Sequence, residues 1–305
     1  MSMLSIVIVN WNTRDLLLAC LRSIPSFPPS GPYEVIVVDN ASTDGSAEAV
    51  RTEHPGLHLI ANERNLGYAA ANNQGFAAAS GEWILTLNPD TELSDDSLDN
   101  AIAKLQAHPE CAALGARQIG PDDRTQRSVR GFPSFRGILG DLTGLGRLLP
   151  HTSLGSYRLP AFNYEKEQPA PQPMGTFLLF RRSGVESLTS APLAGTNHPE
   201  SGEGVLRPFD ESFPIFFNEV DLLYRLKQAG YGCLYSPDVQ IRHLGGESTK
   251  QVRKSMVWES HRSLVRFFKK HYQTPWNAPG ILLLSGLIYL GAFIRAKGYD
   301  AGFRA

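Results

Sequence analysis

The sequence is short of cysteine and carries no excess of either charge, and each lack excludes a class of protein. Cys20, Cys111 and Cys233 are the 3 cysteines among 305 residues. They are scattered, with no Cys-x-x-Cys pair and no His/Cys cluster at zinc spacing, which argues against a disulfide framework and a zinc module. The formal net charge is -1 and the pI is near 6.7. No global positive field therefore gathers nucleic acid, which is excluded as a partner, and any phosphate site must be local. No Gly-x-Gly-x-x-Gly follows the first apolar run, so the dehydrogenase fingerprint is missing. The chain opens directly in that run with no targeting segment before it, and a reducing, cytoplasmic setting is the expectation. Hydrophobic residues make up 42% of the chain, enough to core one large domain or two fused halves.

What is present alternates. Leu4 to Val9 is a short β-branched run, and apolar residues from Leu16 to Ile24 then recur at helical spacing. The alternation repeats as strand Tyr33 to Val38, helix Asp44 to Glu53, strand Leu57 to Ala61, helix Tyr68 to Ala79 and strand Trp83 to Leu87. Repeated β-α-β steps predict an α/β fold, a parallel Rossmann-like sheet with helices on both faces. A helix from Asp95 to Gln106 and a strand near Ala112 to Ile119 follow. The stretch from Pro121 to Pro173 is rich in Gly, Pro, Ser and Arg without periodicity and reads as irregular. Strand pattern returns at Met174 to Arg181, Thr189 to Arg207 reads as a loop insertion, a helix spans Glu219 to Ala229, and strands lie near Cys233 to Tyr235 and Val239 to His243.

In open α/β sheets, ligands bind at the carboxyl ends of the strands. Here those ends carry Asn10-Trp11-Asn12, Asp39 to Asp44, Asn62 to Asn65 and Asn88-Pro89-Asp90, all on one edge of the inferred sheet, where one cleft can gather them. Asp39 and Asp90 stand where a nucleoside diphosphate and its cation need oxygen ligands, although Asn, Pro and Asp also simply favour turns. Asn218 and Asp221 fit an N-cap and an acidic third position of a helix. Glu219, after an aromatic pair, is placed for partial desolvation, which raises a carboxylate's pKa and suits it to general-base work. His243 before Gly245-Gly246 can ligate a metal or serve the fold. Trp11 can stack on a base or pack on the core.

Taken together these residues resemble the family 2 inverting glycosyltransferases of the GT-A fold, the rhamnosyltransferase-like members that build bacterial surface polysaccharides in particular. The similarity runs from Ser5 to about Tyr272. It is carried by Ile8-Val-Asn-Trp-Asn12, Val38-Asp-Asn-Ala-Ser-Thr-Asp-Gly45, Asn65-Leu-Gly67 with Ala71-Asn-Asn73, and Leu87-Asn-Pro-Asp-Thr91. Phe209-Asp-Glu211, Asn218-Glu-Val-Asp-Leu222 with Arg225, and His243-x-Gly-Gly-x-Ser248 complete it. The resemblance implies that Asp39 accepts a hydrogen bond from a pyrimidine base and that Asp90 is the last acid of the DXD motif, binding Mg2+ or Mn2+, with Asn88 in place of the first acid. It sets Asn10, Trp11, Asn12, Arg64, Asn65, Gly67 and Asn88 around the nucleotide-sugar, and His243 near the diphosphate as a second metal ligand. Relatives usually show Glu-Asp-x-Asp where this chain has Asn218-Glu219-Val220-Asp221. The catalytic base then falls on Glu219, with Asp221 and Arg225 as secondary candidates.

The expected organisation is a nucleotide-sugar half over 1-120, an acceptor-side catalytic half of the same domain over 121-248, and a helical segment over 249-305. The expected reaction moves a sugar, with rhamnose from dTDP-rhamnose the first guess, to a saccharide or polyprenyl-diphosphate-linked acceptor with inversion. Gly280 to Ile294 is uncharged for about fifteen residues, short of the roughly 20 that cross a bilayer. With Arg295, Lys297 and the upstream Arg262, Arg266, Lys269 and Lys270, residues 279-297 read either as a peripheral contact on the inner face of the cytoplasmic membrane or as a core or homodimer-packing helix. A non-catalytic GT-A scaffold is the alternative. A sugar nucleotidyltransferase is less favoured, because Asn10-Trp11-Asn12 is not the Gly-rich basic loop that it needs.

Overall fold

Successive residues of the first strands enter two different cores. Leu4, Ile6 and Ile8 of β1 (Leu4–Asn10) join one apolar cluster while Val7 and Val9 join another, and β2 (Tyr33–Asp39) divides Val35 and Val37 from Ile36 and Val38 in the same way. A strand buried on both faces is apolar at nearly every position, which is why these runs do not alternate with polar residues, and the buried Ser5 and Asn10 of β1 are hydrogen-bonded to Glu34 and Asp39. The computed structural model describes residues 3–189, 205–245 and 253–298. Helices α1 (Arg14–Ser26), α2 (Ser46–Glu53) and α4 (Ser97–Ala107) cover one face through Leu17, Leu21, Val50, Leu98 and Leu105. Helices α3 (Tyr68–Ala78), α7 (Arg182–Thr189) and α8 (Asn218–Gln228) cover the other through Phe76, Val185, Leu222 and Leu226.

β3 (His58–Ala61), β2, β1 and β4 (Trp83–Leu87) lie side by side in that order, all parallel. The sheet continues past β4 through β10 (Phe177–Arg181), β6 (Cys111–Ile119), β11 (Gly232–His243) and the short β5 (Thr91–Leu93). β10 runs antiparallel to both of its neighbours, and β5 antiparallel to β11. One sheet thus joins the two halves, and β5 returns the chain after Asn88-Pro89-Asp90 to lie beside the end of β11.

Most helix and strand limits depart from the sequence reading by a residue or two; the strand expected from Met174 starts at Phe177, β5 and α7 were not expected, and three further differences are larger. The strands expected near Cys233 to Tyr235 and Val239 to His243 form one strand whose register slips between Ser236 and Gln240. The stretch 121-173 is ordered rather than irregular: it holds β7 (Val129–Arg130), α5 (Phe135–Thr143), α6 (Leu145–Leu148), β8 (Gln168–Pro169) and β9 (Gln172–Pro173). Glycines carry no apolar signal, yet they make this packing possible. A Cβ at Gly131 would sit 2.0 Å from the Ser156 carbonyl oxygen, and one at Gly140 2.2 Å from that of Leu154. The third difference is the apolar segment near the C-terminus, which is a 19-residue helix, Ala278–Ala296, longer than its uncharged stretch because Pro279 fits the first turn and Arg295 continues the last. It packs through Ile281, Leu284 and Ile288 on the long helix Arg253–Tyr272, whose Leu264, Phe267 and Phe268 reach Phe217 and Val220 of the catalytic half. Residues 190-204 of the expected loop insertion, Gly246 and Ser248 lie outside the described residues.

Candidate active site

A cavity of about 610 Å3 opens where β1, β2 and β4 end. Each of the four polar loops contributes to its wall: Trp11 from the first, Asn40 from the second, Asn65 from the third, and Asn88, Pro89 and Asp90 from the fourth. Met174, Gly175, Thr176, Glu219 and His243 close it from the other half. Of the remaining residues expected around the nucleotide, Asn10, Asn12 and Asp39 stand behind this wall and hold it. The Asn10 amide donates to Asp39 Oδ1 at 2.9 Å, and the Ser42 backbone N–H donates to Asp39 Oδ2 at 3.0 Å. Thr13 donates to Asn10, and the Asn12 side chain accepts from the Thr43 backbone at 2.7 Å. Asp39 is buried and its two oxygens already tie two loops together. Arg64 is exposed outside the wall. Gly67 has a φ of +89°, and a Cβ there would lie 3.0 Å from the Pro214 carbonyl oxygen, so glycine serves the close approach of two loops.

Asp90 and His243 converge because β5 pairs with β11, with Thr91 opposite His243 and the Leu244 N–H donating to the Asp90 carbonyl at 3.0 Å. Both side chains are buried. Gln126, which the motifs did not suggest, assigns the imidazole tautomer. Its amide nitrogen donates to the His243 carbonyl oxygen at 3.1 Å, so its Oε1 faces His243 Nδ1 at 2.7 Å as an acceptor, and Nδ1 carries the hydrogen. In the neutral ring Nε2 is then a lone pair, and it lies 3.5 Å from Asp90 Oδ2. Two acceptors aimed at one another need a cation or a proton between them. Among the described residues no group of three His, Cys, Asp or Glu forms a metal cage. A hard divalent ion held by one or two protein ligands and completed by phosphate oxygens and water fits this pair. Asn88 does not join it, since its side-chain oxygen accepts from the Tyr68 hydroxyl at 2.8 Å.

Glu219 sits in the first turn of α8 with its side chain against Gly175. Burial pushes its carboxyl up to about 7, opposed only in part by the backbone N–H groups of Glu219 and Val220. Tyr68 lies within electrostatic reach of both Glu219 and Asp90; burial first, and then those two negative charges, push its hydroxyl above its ordinary range. Tyr68 was legible only as the start of a helix.

The capping explanation for Asp221 does not hold. Helix α8 is preceded by Phe217 in the left-handed region at φ +69°, while Asn218 is its first residue and donates its side-chain amide to the Ile215 carbonyl. Asp221 is fully buried and faces away from the cavity. It accepts from Arg225 Nε at 2.7 Å, Lys270 Nζ at 2.6 Å and His271 Nε2 at 2.7 Å. Burial alone would raise its pKa; Arg225, His271 and Lys270 outweigh burial and hold the carboxyl well below its usual range. Arg225 also donates to the Pro208 carbonyl and is buried in the same network. Asp221 and Arg225 therefore fasten α8 to the long helix, and Glu219 is the acid of this turn that lines the cavity.

A sheet with a polar cleft at its carboxyl edge, one raised carboxyl and a buried Asp/His pair has the make-up of an α/β enzyme whose substrate binds at that edge. The family model described as Glycosyl transferase family 2 matches residues 5–188, and the chain belongs to that family. Among its relatives, N-acetylglucosaminyl-diphospho-decaprenol L-rhamnosyltransferase of Mycobacterium tuberculosis is 27% identical over 96% of this chain and 93% of its own. The O-antigen biosynthesis protein RfbC of Myxococcus xanthus is 26% identical over 98% of this chain and 21% of its own. Among solved structures, the mannosyltransferase PcManGT from Pyrobaculum calidifontis, in complex with GDP-Man and Mn2+, superposes with a TM-score of 0.54 at 18% identity, covering 98% of this chain and 76% of its own. That likeness bears out the GT-A fold.

Proposed function

We propose that this glycosyltransferase moves a sugar, rhamnose from dTDP-rhamnose in the first instance, onto a polyprenyl-diphosphate-linked saccharide with inversion at the anomeric carbon. The observation that carries the catalytic part is Glu219: a carboxyl raised to about 7 on the wall of a cavity that also holds Asp90 and His243. A base of that pKa is half ionised near neutrality and is matched to a proton released only in the transition state. Glu219 removes the proton from the acceptor hydroxyl, the hydroxyl oxygen bonds to the anomeric carbon from the opposite face, and the bond to the diphosphate oxygen breaks with its electron pair on the diphosphate. Trp11 and Asn65 border the nucleotide, and Asp39, Asn10 and Asn12 keep those loops in place. Asp90 and the Nε2 of His243 would hold Mg2+ or Mn2+, which when bound neutralises charge on the leaving diphosphate. The mycobacterial relative supports the choice of sugar and acceptor, since its name specifies rhamnose and a decaprenol-diphosphate saccharide.

The helix Ala278–Ala296 supports a lipid-linked acceptor. By length and composition it reaches what is needed to cross a membrane, with a mean hydropathy of 1.6 over its most apolar window. One face is packed against protein, and Leu282, Leu283, Leu290 and Phe293 on the other are exposed, as is Trp276 just before it at 95%. An apolar face with an interfacial tryptophan, bordered by Arg295 and Lys297, fits a segment lying in the surface of an anionic bilayer. The protein then works as a peripheral enzyme on the inner face of the cytoplasmic membrane.

Two measurements test this reading. Incubation with dTDP- and UDP-sugars and Mn2+ or Mg2+ is expected to release nucleoside diphosphate, fastest with dTDP-rhamnose and a prenyl-diphosphate saccharide. Release of pyrophosphate instead would make the protein a nucleotidyltransferase, and an absence of nucleotide binding by calorimetry would make it a scaffold. Flotation with anionic vesicles is expected to carry the protein upward, and Leu282→Asp with Leu283→Asp to leave it at the bottom of the gradient.

A further inference from the structure

The cavity has a second polar corner that the donor does not explain. β7 and β9 form a two-stranded ribbon in which Arg130 stands directly opposite Gln172, and both residues line the cavity. Arg130 is partly buried, and among the described residues its guanidinium has no hydrogen bond and no carboxylate partner. The nearby acid, Asp141, is taken by Arg158 at 2.6 Å. Gln172 is 6% exposed and its Oε1, in the buried wall, has no hydrogen-bond partner. A buried amide oxygen without a donor, beside a guanidinium without an anion, costs free energy that a ligand would return. Burial lowers the Arg130 pKa, but a guanidinium in a protein keeps its charge.

The corner adjoins the chemistry. Tyr157, also on the wall, lies within electrostatic reach of both Arg130 and Glu219. The two residues of the corner come from β7 and β9 of the ordered 121-173 stretch, whereas the four polar loops of the wall follow β1 to β4.

Resting on the glycosyltransferase reading above, we propose that Arg130 and Gln172 are the acceptor subsite for a phosphorylated saccharide. The Arg130 guanidinium donates to a phosphate oxygen of the acceptor, and the Gln172 amide, by turning over, brings its oxygen from the buried wall into the cavity to accept from a hydroxyl of the sugar next to that phosphate. This subsite separates diphosphate-linked acceptors from plain glycosides and turns the sugar's free hydroxyl toward Glu219. Phosphate chemistry comes from two sources here, the acceptor and the donor, and the test divides them.

Arg130→Ala, Arg130→Lys and Gln172→Leu are compared with wild type on a prenyl-diphosphate saccharide and on the octyl glycoside of the same sugar, with circular dichroism to verify folding. For Arg130→Ala the acceptor KM is expected to rise about 10- to 100-fold with the diphosphate acceptor, the size of a lost charge-assisted hydrogen bond, and to stay within about twofold with the glycoside. Arg130→Lys, which keeps the charge, recovers part of the loss. Gln172→Leu raises KM for both acceptors. Nucleotide affinity and acceptor-free release of nucleoside diphosphate stay at wild-type values in all three. Equal losses on both acceptors with Arg130→Ala, or a weakened nucleotide, would overturn the assignment and give Arg130 to the donor. If wild type turns over no donor at all, the function proposed above fails, and geranyl diphosphate titrated into the nucleotide-loaded protein still decides the subsite. Binding lost in Arg130→Ala sustains the subsite, and no binding to wild type overturns it.

Discussion

Glu219 and Asp221 are two residues apart in the first turn of α8, and the two sides of that helix treat them in opposite ways. On the cavity side Glu219 meets Gly175 and its own backbone N–H groups, with no cation beside it among the described residues, and burial carries its pKa up to about 7. On the side facing the long helix Asp221 meets Arg225, Lys270 and His271, and they hold it ionised despite deeper burial. Burial is the same kind of cost in both cases, and the presence or absence of cationic neighbours decides its outcome. One carboxylate is left able to hold a proton near neutrality and the other is spent on structure.

The largest effect expected is on turnover. Glu219→Gln removes the base but keeps the shape, so transfer should fall by about 10²- to 10⁴-fold while calorimetry finds donor binding unchanged. Near-wild-type turnover would break the comparison by leaving the raised carboxyl without a task. The same residue sets the acid limb of the pH profile: kcat/KM should rise as pH increases through about 7, because the base works only when ionised. For stability the sign is reversed. The folded protein holds the Glu219 proton more tightly than the unfolded chain does, so this group takes stability away as pH climbs from 4.5 past 7. Urea midpoints should show that slope flattened in Glu219→Gln.

Next comes Asp221→Ala, which leaves buried cations uncompensated and should cost about 3–5 kcal/mol of stability by chemical denaturation. The folded Asp221 pKa is depressed, so its contribution is present above 3.8 and lost as pH falls below that value. The two carboxylates thus tilt the stability curve in opposite directions over different pH ranges. Smaller again is Gln126→Leu, which frees the His243 tautomer. Mn2+ binding, followed by calorimetry with nucleotide present, should weaken about 10- to 100-fold, the usual consequence of losing a partner behind a ligand. The smallest is Gly67→Ala at φ +89°, expected to cost about 1–3 kcal/mol through backbone strain without moving the activity pH profile.

The donor half was legible because its signals are local. Leu4 to Val9 and Tyr33 to Val38 read as doubly buried strands from composition alone, and the polar residues that end them had to gather at one sheet edge. That Asp39 ties loops together was not legible, because its partners Asn10 and Ser42 come from different β-α junctions. The acceptor half was poorly legible. Arg130, Gln172 and Tyr157 lie in a stretch whose folding depends on glycines at backbone contacts, and such contacts leave no periodic mark in sequence.

What the sequence by itself determined is the parallel sheet, the polar edge and the presence of a carboxylate at Glu219, since each follows from residue type and spacing along one segment. The tertiary structure alone decided the surroundings of the two acids, Glu219 on the cavity wall and Asp221 among Arg225, Lys270 and His271. It also decided that His243 brings its Nε2 to 3.5 Å from Asp90, and that Arg130 stands opposite Gln172 with no carboxylate paired to it among the described residues. Those properties depend on charges and donors brought from distant parts of the chain: Gln126 lies 117 residues from His243, and His271 50 residues from Asp221. Electrostatic environment is set by neighbours in space, and the order of residues along the chain does not name those neighbours.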